Sequence, residues 1–553
     1  MKAAILMLAA SLLAFSSQQP VPDPMSRIEG IVVKAGGGEP LAQARLLLSR
    51  DGAMQSETAY GTITSADGHF TLKDIPRGRY RLLATAPGFV NHQYGSERPN
   101  RPGAVLDLTT AQTVRDLTIR MTAGGVISGR VSDQDGRPVE GILLHSLARR
   151  YQRDGSVLLS DAEIVVTNDI GEYRMYWMPP GTYYLHAMLP NVGVSNRRPL
   201  ESQVIDQSEE PADVFSPTFY PNAPDESRAQ LIRIEAGSEL RAVDFSLTKM
   251  KSVRVRGRVV DEENRQPVAG ATVNLQPKYG SNGAGYRFFL MMAQTDAHGS
   301  FEIRNVPPGD YKLGTLMTMP GFKSVFDQQN IQVGDKGMPD LQITLKPYPG
   351  IRGRVIAEGG DMLPEDRTVL LFNKFDAGTE GTGFGTGLQP DGTFSLSNVS
   401  PGMFRLELTG FPDNFFIRSA RTADTDVMKD GIDLTEKSIE SLEVIVASSG
   451  GAVDGVVYDQ RQTPIVGAQV VLMPNAGRRG RLDLFKTATA DQFGRFAIRG
   501  AVPGDYKLFA WEALEPNIYF DPSFMEQYES QGIVLHIEES GHVTANLKSI
   551  PIP

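Results

Sequence analysis

The chain has no cysteine. That absence excludes a disulfide-stapled scaffold, thiolate zinc sites, a cysteine nucleophile and a lipid-modified N-terminal cysteine. Only seven histidines are spread over 553 residues: His69, His92, His145, His186, His298, His536 and His542. None stands in an HExxH helix motif, and most fall in loop-like sequence. A hydrolytic zinc site needs closely spaced His and carboxylate ligands with a general base. There is no GxSxG elbow and no Walker-type loop, so the usual serine hydrolase and nucleotide signatures are missing too. Tryptophan occurs twice. Long basic stripes are also missing. With 55 Lys and Arg against 65 Asp and Glu the formal charge is −10, which repels phosphate backbones and argues against a nucleic-acid partner. Arg478, Arg479 and Arg481 form a small basic loop and are read as a solvated turn.

One long apolar run is present, at the start. MKAAILMLAASLLAFSSQQP has the charged n-region (Lys2) and short h-region (3–15) of a secretory signal, with small Ala14 and Ser16 at the cleavage spacing. It is too short to span a bilayer. Residues 1–16 are therefore expected to be a signal peptide, the alternative being an uncleaved anchor. No later stretch is long and apolar enough to cross a membrane. The expectation is an exported protein, periplasmic or extracellular, with no integral membrane segment in the mature chain. Its charge would be −11 once Lys2 is gone, because 54 Lys and Arg then face 65 Asp and Glu.

Helix periodicity is scarce, whereas short runs rich in Val, Ile, Leu, Tyr and Phe, bounded by Gly, Pro, Asp and Asn, dominate. One stretch recurs five times: DIPRGRYRL from Asp74, WMPPGTYYL from Trp177, NVPPGDYKL from Asn305, NVSPGMFRL from Asn398 and GAVPGDYKL from Gly500. Its glycines are Gly78, Gly181, Gly309, Gly402 and Gly504. Eight residues before each stands an aromatic: Phe70, Tyr173, Phe301, Phe394 and Phe496. Two residues after each stands another: Tyr80, Tyr183, Tyr311, Phe404 and Tyr506. About fifty residues earlier are Gly30, Gly129, Gly257, Gly353 and Gly455, each opening a Gly-x-Val-like strand. Aromatics are only 8% of the chain, so ten matches out of ten at two fixed offsets mean tandem copies. The period, roughly a hundred residues, lets each copy bury its own core, unlike the shorter repeats of solenoids. The copies are expected to sit as beads in a row.

The third copy reads strand by strand. VRVRGRVVD alternates, Pro267 and Gly270 break the chain, and ATVNLQP is a second strand. Asp296 to Gly299 turn a hairpin that puts Phe301 and Ile303 on one face. Pro308-Gly309 suits a type II turn. Tyr311 and Leu313 then face inward, and DLQITL closes the unit. Six or seven short strands predict an all-β, Greek-key β-sandwich of the prealbumin or immunoglobulin-like kind. The expected division is a linker at 17–26 and sandwiches at 27–122, 123–250, 251–347, 348–448 and 449–553, which leaves no room for a catalytic domain.

Residues GRVVD, PVAGATV, DAHGSF and PPGDY in the third copy, and GVVYD, PIVGAQV, DQFGRF and VPGDY in the fifth, resemble the carboxypeptidase regulatory-like domains. These are small sandwiches of the transthyretin-like or starch-binding-like type. The fourth copy departs, with LPEDRTV where the Gly-Ala pair should stand, and the first has PLAQARL there. The resemblance implies the fold and, as ligand class, carbohydrate. It implies no cofactor, and a superfold of this kind hosts many roles. Collagen-adhesin B-type relatives form Lys-to-Asn crosslinks, yet only Lys34 of the first copy stands on a first strand. DQDG at 133–136 and DTDVMKDG at 424–431 lack a full calcium oxygen set and are read as turns.

Exposed flat rings are what a sugar platform requires. Tyr176 and Trp177 stand where the third copy has Arg304 and Asn305. In the fifth copy Tyr506, Leu508 and Ala510 take the core face, so Phe509 and Trp511 are expected on the outer face, either open or covered by a loop or another copy. Phe219, Tyr220 and Tyr94 are further candidates. The sequence thus predicts an exported, non-catalytic binding or scaffold protein, with a polysaccharide or an envelope protein as partner. The alternative is a structural spacer or protein-interaction array with no sugar site.

Overall fold

The computed structural model describes residues 25–51, 60–188, 213–262, 264–278, 291–319, 323–346, 348–360, 363, 367–373, 383–399 and 401–551. The expected signal peptide lies outside them. The chain is a tandem array of β-sandwiches. In the first, the three-stranded sheet runs His69–Ile75, Ser26–Lys34, Thr113–Met121. Facing it are Tyr60–Ile63, Arg45–Arg50 and Gly78–Thr85, with His92–Gln93 and Leu106–Leu108 on the far edge. The first strand pairs antiparallel with the fourth and parallel with the last. Parallel first and last strands bring the chain in at one end of a sandwich and out at the other, a geometry that lets copies be strung. The third sandwich repeats the order, with Val253–Asp261 central between Ser300–Val306 and Leu341–Leu345. The fourth adds Phe416–Arg421 beside its last strand.

Five separate apolar clusters fill the sandwiches. They are anchored by Ile28 and Met121, Ile127 and Leu247, Val253 and Leu345, Ile351 and Val446, and Val453 and Leu547. The recurring residues have definable jobs. Phe70, Tyr173, Phe301, Phe394 and Phe496 are all buried. Each of the Phe rings lies over the glycine of the first strand. A Cβ on Gly257 would lie 2.4 Å from the Leu341 carbonyl and 2.8 Å from the Phe301 ring, so only glycine lets strand and ring approach. The second aromatic makes a corner. Tyr80, Tyr183, Tyr311 and Tyr506 each donate a hydroxyl hydrogen bond to the carbonyl four residues back, at Pro76, Pro179, Pro307 and Val502, over 2.6–2.9 Å. Phe404 of the fourth copy has no hydroxyl to do so. The nine-residue stretch recurs because it builds this buried corner.

Two expectations are corrected. Gly309 lies at φ 159°, close to extended rather than the roughly +80° of a type II turn. The left-handed residue comes four positions earlier, at Asp74, Trp177, Asn305, Asn398 and Gly500, with φ of 54–64°. It belongs to a β-bulge. Between Met175 and Met178 the strand takes one residue more than its partner, which pairs them with Ile127 and Gly125.

The copies also do not form a simple row. Arg101 and Arg98 of the first sandwich bond Glu515 of the fifth. Asp107 exchanges two 2.9 Å hydrogen bonds with Gln492. Asn517 donates to the Tyr151 carbonyl of the second sandwich, and Arg153 of the second pairs with Glu407 of the fourth at 2.6 Å. Gly467 packs so close to the Gly95 carbonyl that a Cβ would lie 1.7 Å from it. Glycine–glycine contact and reciprocal side-chain bonds bring the fifth copy back onto the first, which a repeat pattern cannot reveal.

Candidate functional site

The bulge makes the site. On a regular strand one of two successive side chains faces the core, whereas the extra residue here leaves two successive positions outside. In the third copy these are Arg304 and Asn305; in the second they are Tyr176 and Trp177, which are 55% and 56% exposed. Both rings therefore stand in solvent at the end of Glu172–Met178. Asn, Asp and Gly tolerate the left-handed region, but a bulky Trp there at φ 54° is a conformational outlier. Such strain is a pointer to function. The backbone beneath is held firmly. A Cβ on Gly124 would lie 2.4 Å from the Trp177 Cα, and Gly124 donates to the Gly88 carbonyl at 2.9 Å.

Tyr176 and Trp177 open into a cleft of about 990 Å³ between the first and second sandwiches. Phe89 to Asn91 and Arg98 to Arg101 form the first wall. Ala148 to Tyr151 and Met178 to Tyr183 form the second, and Glu515 of the fifth sandwich lies at the rim. Arg174 lies 5.5 Å from the Tyr176 ring centre, a cation–π contact. Arg101 pairs with Glu515 and is largely buried. Burial and the neighbouring Arg150 and Arg98 charges draw its guanidinium pKa down, against the opposing pull of Glu515. Arg149 lies 3.7 Å from Glu226 and 5.9 Å from the Tyr184 ring centre.

The other sequence candidates are placed elsewhere. Phe509 and Trp511 do lie on the outer face, stacked at 5.5 Å, but they are 1% and 0% exposed. The segment 512–532 folds over them, bringing Met525, Tyr528 and Phe524 into one cluster. The sugar-platform expectation for this pair is corrected to a second core, because two adjacent large rings bury more area than any exposed contact retains. Phe219 is likewise buried, 4.3 Å from the His186 ring, and Tyr220 packs edge-on against Phe245 at 5.7 Å. Tyr94 is half-buried against the first core. Lys34 pairs with Glu39 at 3.0 Å. Among the described residues no three His, Asp or Glu side chains cluster closely enough to hold a metal ion, and no helix is long and apolar enough to cross a membrane.

Sequence reasoning missed the arginines of the cleft. Arg149-Arg150-Tyr151 and the Arg98 to Arg101 loop are visible as local basic runs, but nothing in a single copy says they meet.

These features define a class, a tandem β-sandwich array with a cleft between copies. The family model of the carboxypeptidase regulatory-like domain matches residues 27–122 and 254–346, and these two segments are carboxypeptidase regulatory-like domains. Among solved structures the chain is similar to the TIE protein of Bacillus anthracis (11% identity, 76% of this chain and 74% of that one, TM-score 0.16). It is also similar to a minor pilin of Streptococcus agalactiae (12%, 41% and 96%, TM-score 0.22). A third likeness is to two B repeat units of the collagen binding protein of Staphylococcus aureus (11%, 76% and 99%, TM-score 0.14). No curated protein matches the chain.

Proposed function

We propose that this is an exported, non-catalytic binding and scaffold protein of the cell envelope, and that the cleft between the first two sandwiches binds polysaccharide. The single observation that carries the reading is the pair Tyr176 and Trp177. Two exposed neighbouring rings, one in a strained conformation, project into a cleft large enough for several sugar units. Rings stack on the apolar faces of sugars and lose little side-chain entropy in doing so. The floor is fixed in advance. Val90 donates to the Thr122 carbonyl at 2.9 Å and Gly237 to the Ala123 carbonyl at 3.0 Å, so the linker between the sandwiches is pinned from both sides. A preorganised cleft costs little to order on binding.

The test is retention of the chain lacking residues 1–16 on a panel of insoluble and soluble polysaccharides. Trp177→Gly is expected to lose retention. Phe219→Leu, altered in a buried ring outside the cleft, is expected to keep it. Retention by no polysaccharide would favour the second reading, a protein-interaction array, whose support is the reciprocal packing of the first and fifth sandwiches.

A further inference from the structure

The cleft has a charge character that the chain as a whole does not. The protein carries a formal −10, yet Arg98, Arg101 and Arg150 converge on this one opening. Arg98 and Arg101 share a single carboxylate, Glu515. Arg150 lines the same opening, and no ion pair or side-chain hydrogen bond of its guanidinium occurs among the described residues. With Arg149 and Arg233 the lining holds five arginines against four acids. Of these acids Asp161 bonds His145 Nδ1 at 2.8 Å, Glu235 lies 3.8 Å from Arg233, Glu515 is shared by Arg98 and Arg101, and Glu163 is the fourth. Arg101 is largely buried, and that burial together with repulsion by the Arg150 charge draws its guanidinium pKa down. An anion entering the cleft would relieve that repulsion and find a planar fork suited to bidentate contact.

We infer that the cleft takes an acidic polysaccharide, with a sugar face on Tyr176 and Trp177 and a carboxylate on Arg150. This rests on the polysaccharide reading above and deepens it. Arg150 is the specificity element and the rings are the platform. Neutral chains of the same backbone would keep the stacking and lose the charge contact. Acidic peptides would keep the charge contact and lose the stacking.

The experiment compares binding of the full chain lacking residues 1–16 to polygalacturonate, to its fully methyl-esterified form, to alginate and to poly-glutamate, at low and high salt. Polygalacturonate or alginate is expected to bind at least tenfold more tightly than the ester, with the preference falling as salt rises. Arg150→Gln is expected to remove that preference, a loss of about 10–100-fold toward the acid form. Arg150→Lys, which keeps the charge without the fork, is expected to restore part of it. Equal binding of acid and ester would overturn the inference while leaving the polysaccharide reading intact. Equal binding of poly-glutamate would overturn it in favour of charge alone. An undiminished preference in Arg150→Gln would overturn the role of that residue. Binding to none of the four would overturn the inference, and the polysaccharide reading falls with it only if no other polysaccharide of the panel is retained either.

Discussion

Replacing Trp177 by glycine should leave the protein more stable than replacing it by alanine. Both changes delete the ring and every contact it makes, so the hydrophobic loss is common to the pair and cancels. What remains is the backbone at φ 54°. In an ordinary strand or helix interior glycine is the poorer residue by about 0.5–1 kcal/mol, because it loses more chain entropy on folding. In the left-handed region a Cβ costs about 1–2 kcal/mol, and glycine escapes that cost. The order should therefore invert, with Trp177→Gly about 1 kcal/mol more stable than Trp177→Ala. For a sandwich of this size that corresponds to roughly 3–5 °C in the midpoint of its own transition. Calorimetry of the full chain measures it. Hydrogen exchange at Gly125–Asp133 and Glu172–Met178, the strands that flank the bulge, assigns the transition to the second sandwich. Alanine equal to or better than glycine would refute the strain at Trp177, and with it the reasoning that the second copy tolerates a cost to present this ring.

Tyr311→Phe should destabilise the third sandwich by about 1–2 kcal/mol in urea unfolding, since it removes the 2.6 Å bond to the Pro307 carbonyl; an unchanged midpoint would remove the corner's role. Trp511→Ala should cost the fifth sandwich about 3–5 kcal/mol, the cavity cost of a fully buried ring, and should affect polysaccharide retention only through that loss of folded protein. His186 is fully buried, and burial first, then the His145 charge, pushes its pKa down to about 3. Its folded value lies below the unfolded value of about 6.5, so the unfolded chain binds the extra proton between them and stability rises with pH through that window. The contribution is complete above about pH 6.5 and falls by up to about 1.4 kcal/mol per unit below it, or about 2 kcal/mol by pH 5. Unfolding of His186→Gln followed from pH 7 to 5 should lack that slope; an unaltered slope would show that other groups set it.

Much of the fold was legible because it is written five times. Glycine at the first strand, an aromatic eight residues before Pro-Gly and a tyrosine two residues after the glycine each answer one local steric demand, so each recurs. Local demands survive in a sequence as fixed offsets. The conformational detail at Gly309 did not, because type II geometry and the observed bulge both favour Pro, Gly and Asn. At the site, alignment alone singled out Tyr176 and Trp177, where a polar pair stands elsewhere. The same logic failed for Phe509 and Trp511. Alternation places them correctly on the outer face, but what covers that face is an insertion, 512–532, with no counterpart in the third copy. The arginines of the cleft were missed for a related reason. Arg101 and Glu515 are brought together by packing of the first copy on the fifth, and a repeat pattern carries no record of contacts between copies.

The most direct test of the binding cleft uses the two tryptophans as they stand. Trp177 is 56% exposed and Trp511 is 0% exposed. Acrylamide should quench one emission component of the chain lacking residues 1–16 and leave the other nearly untouched. Adding polygalacturonate or alginate should shield the quenchable component, and Trp177→Gly should abolish both the component and the shielding. A quenchable Trp177 that no polysaccharide on the panel protects would contradict the central claim that this ring is a sugar platform.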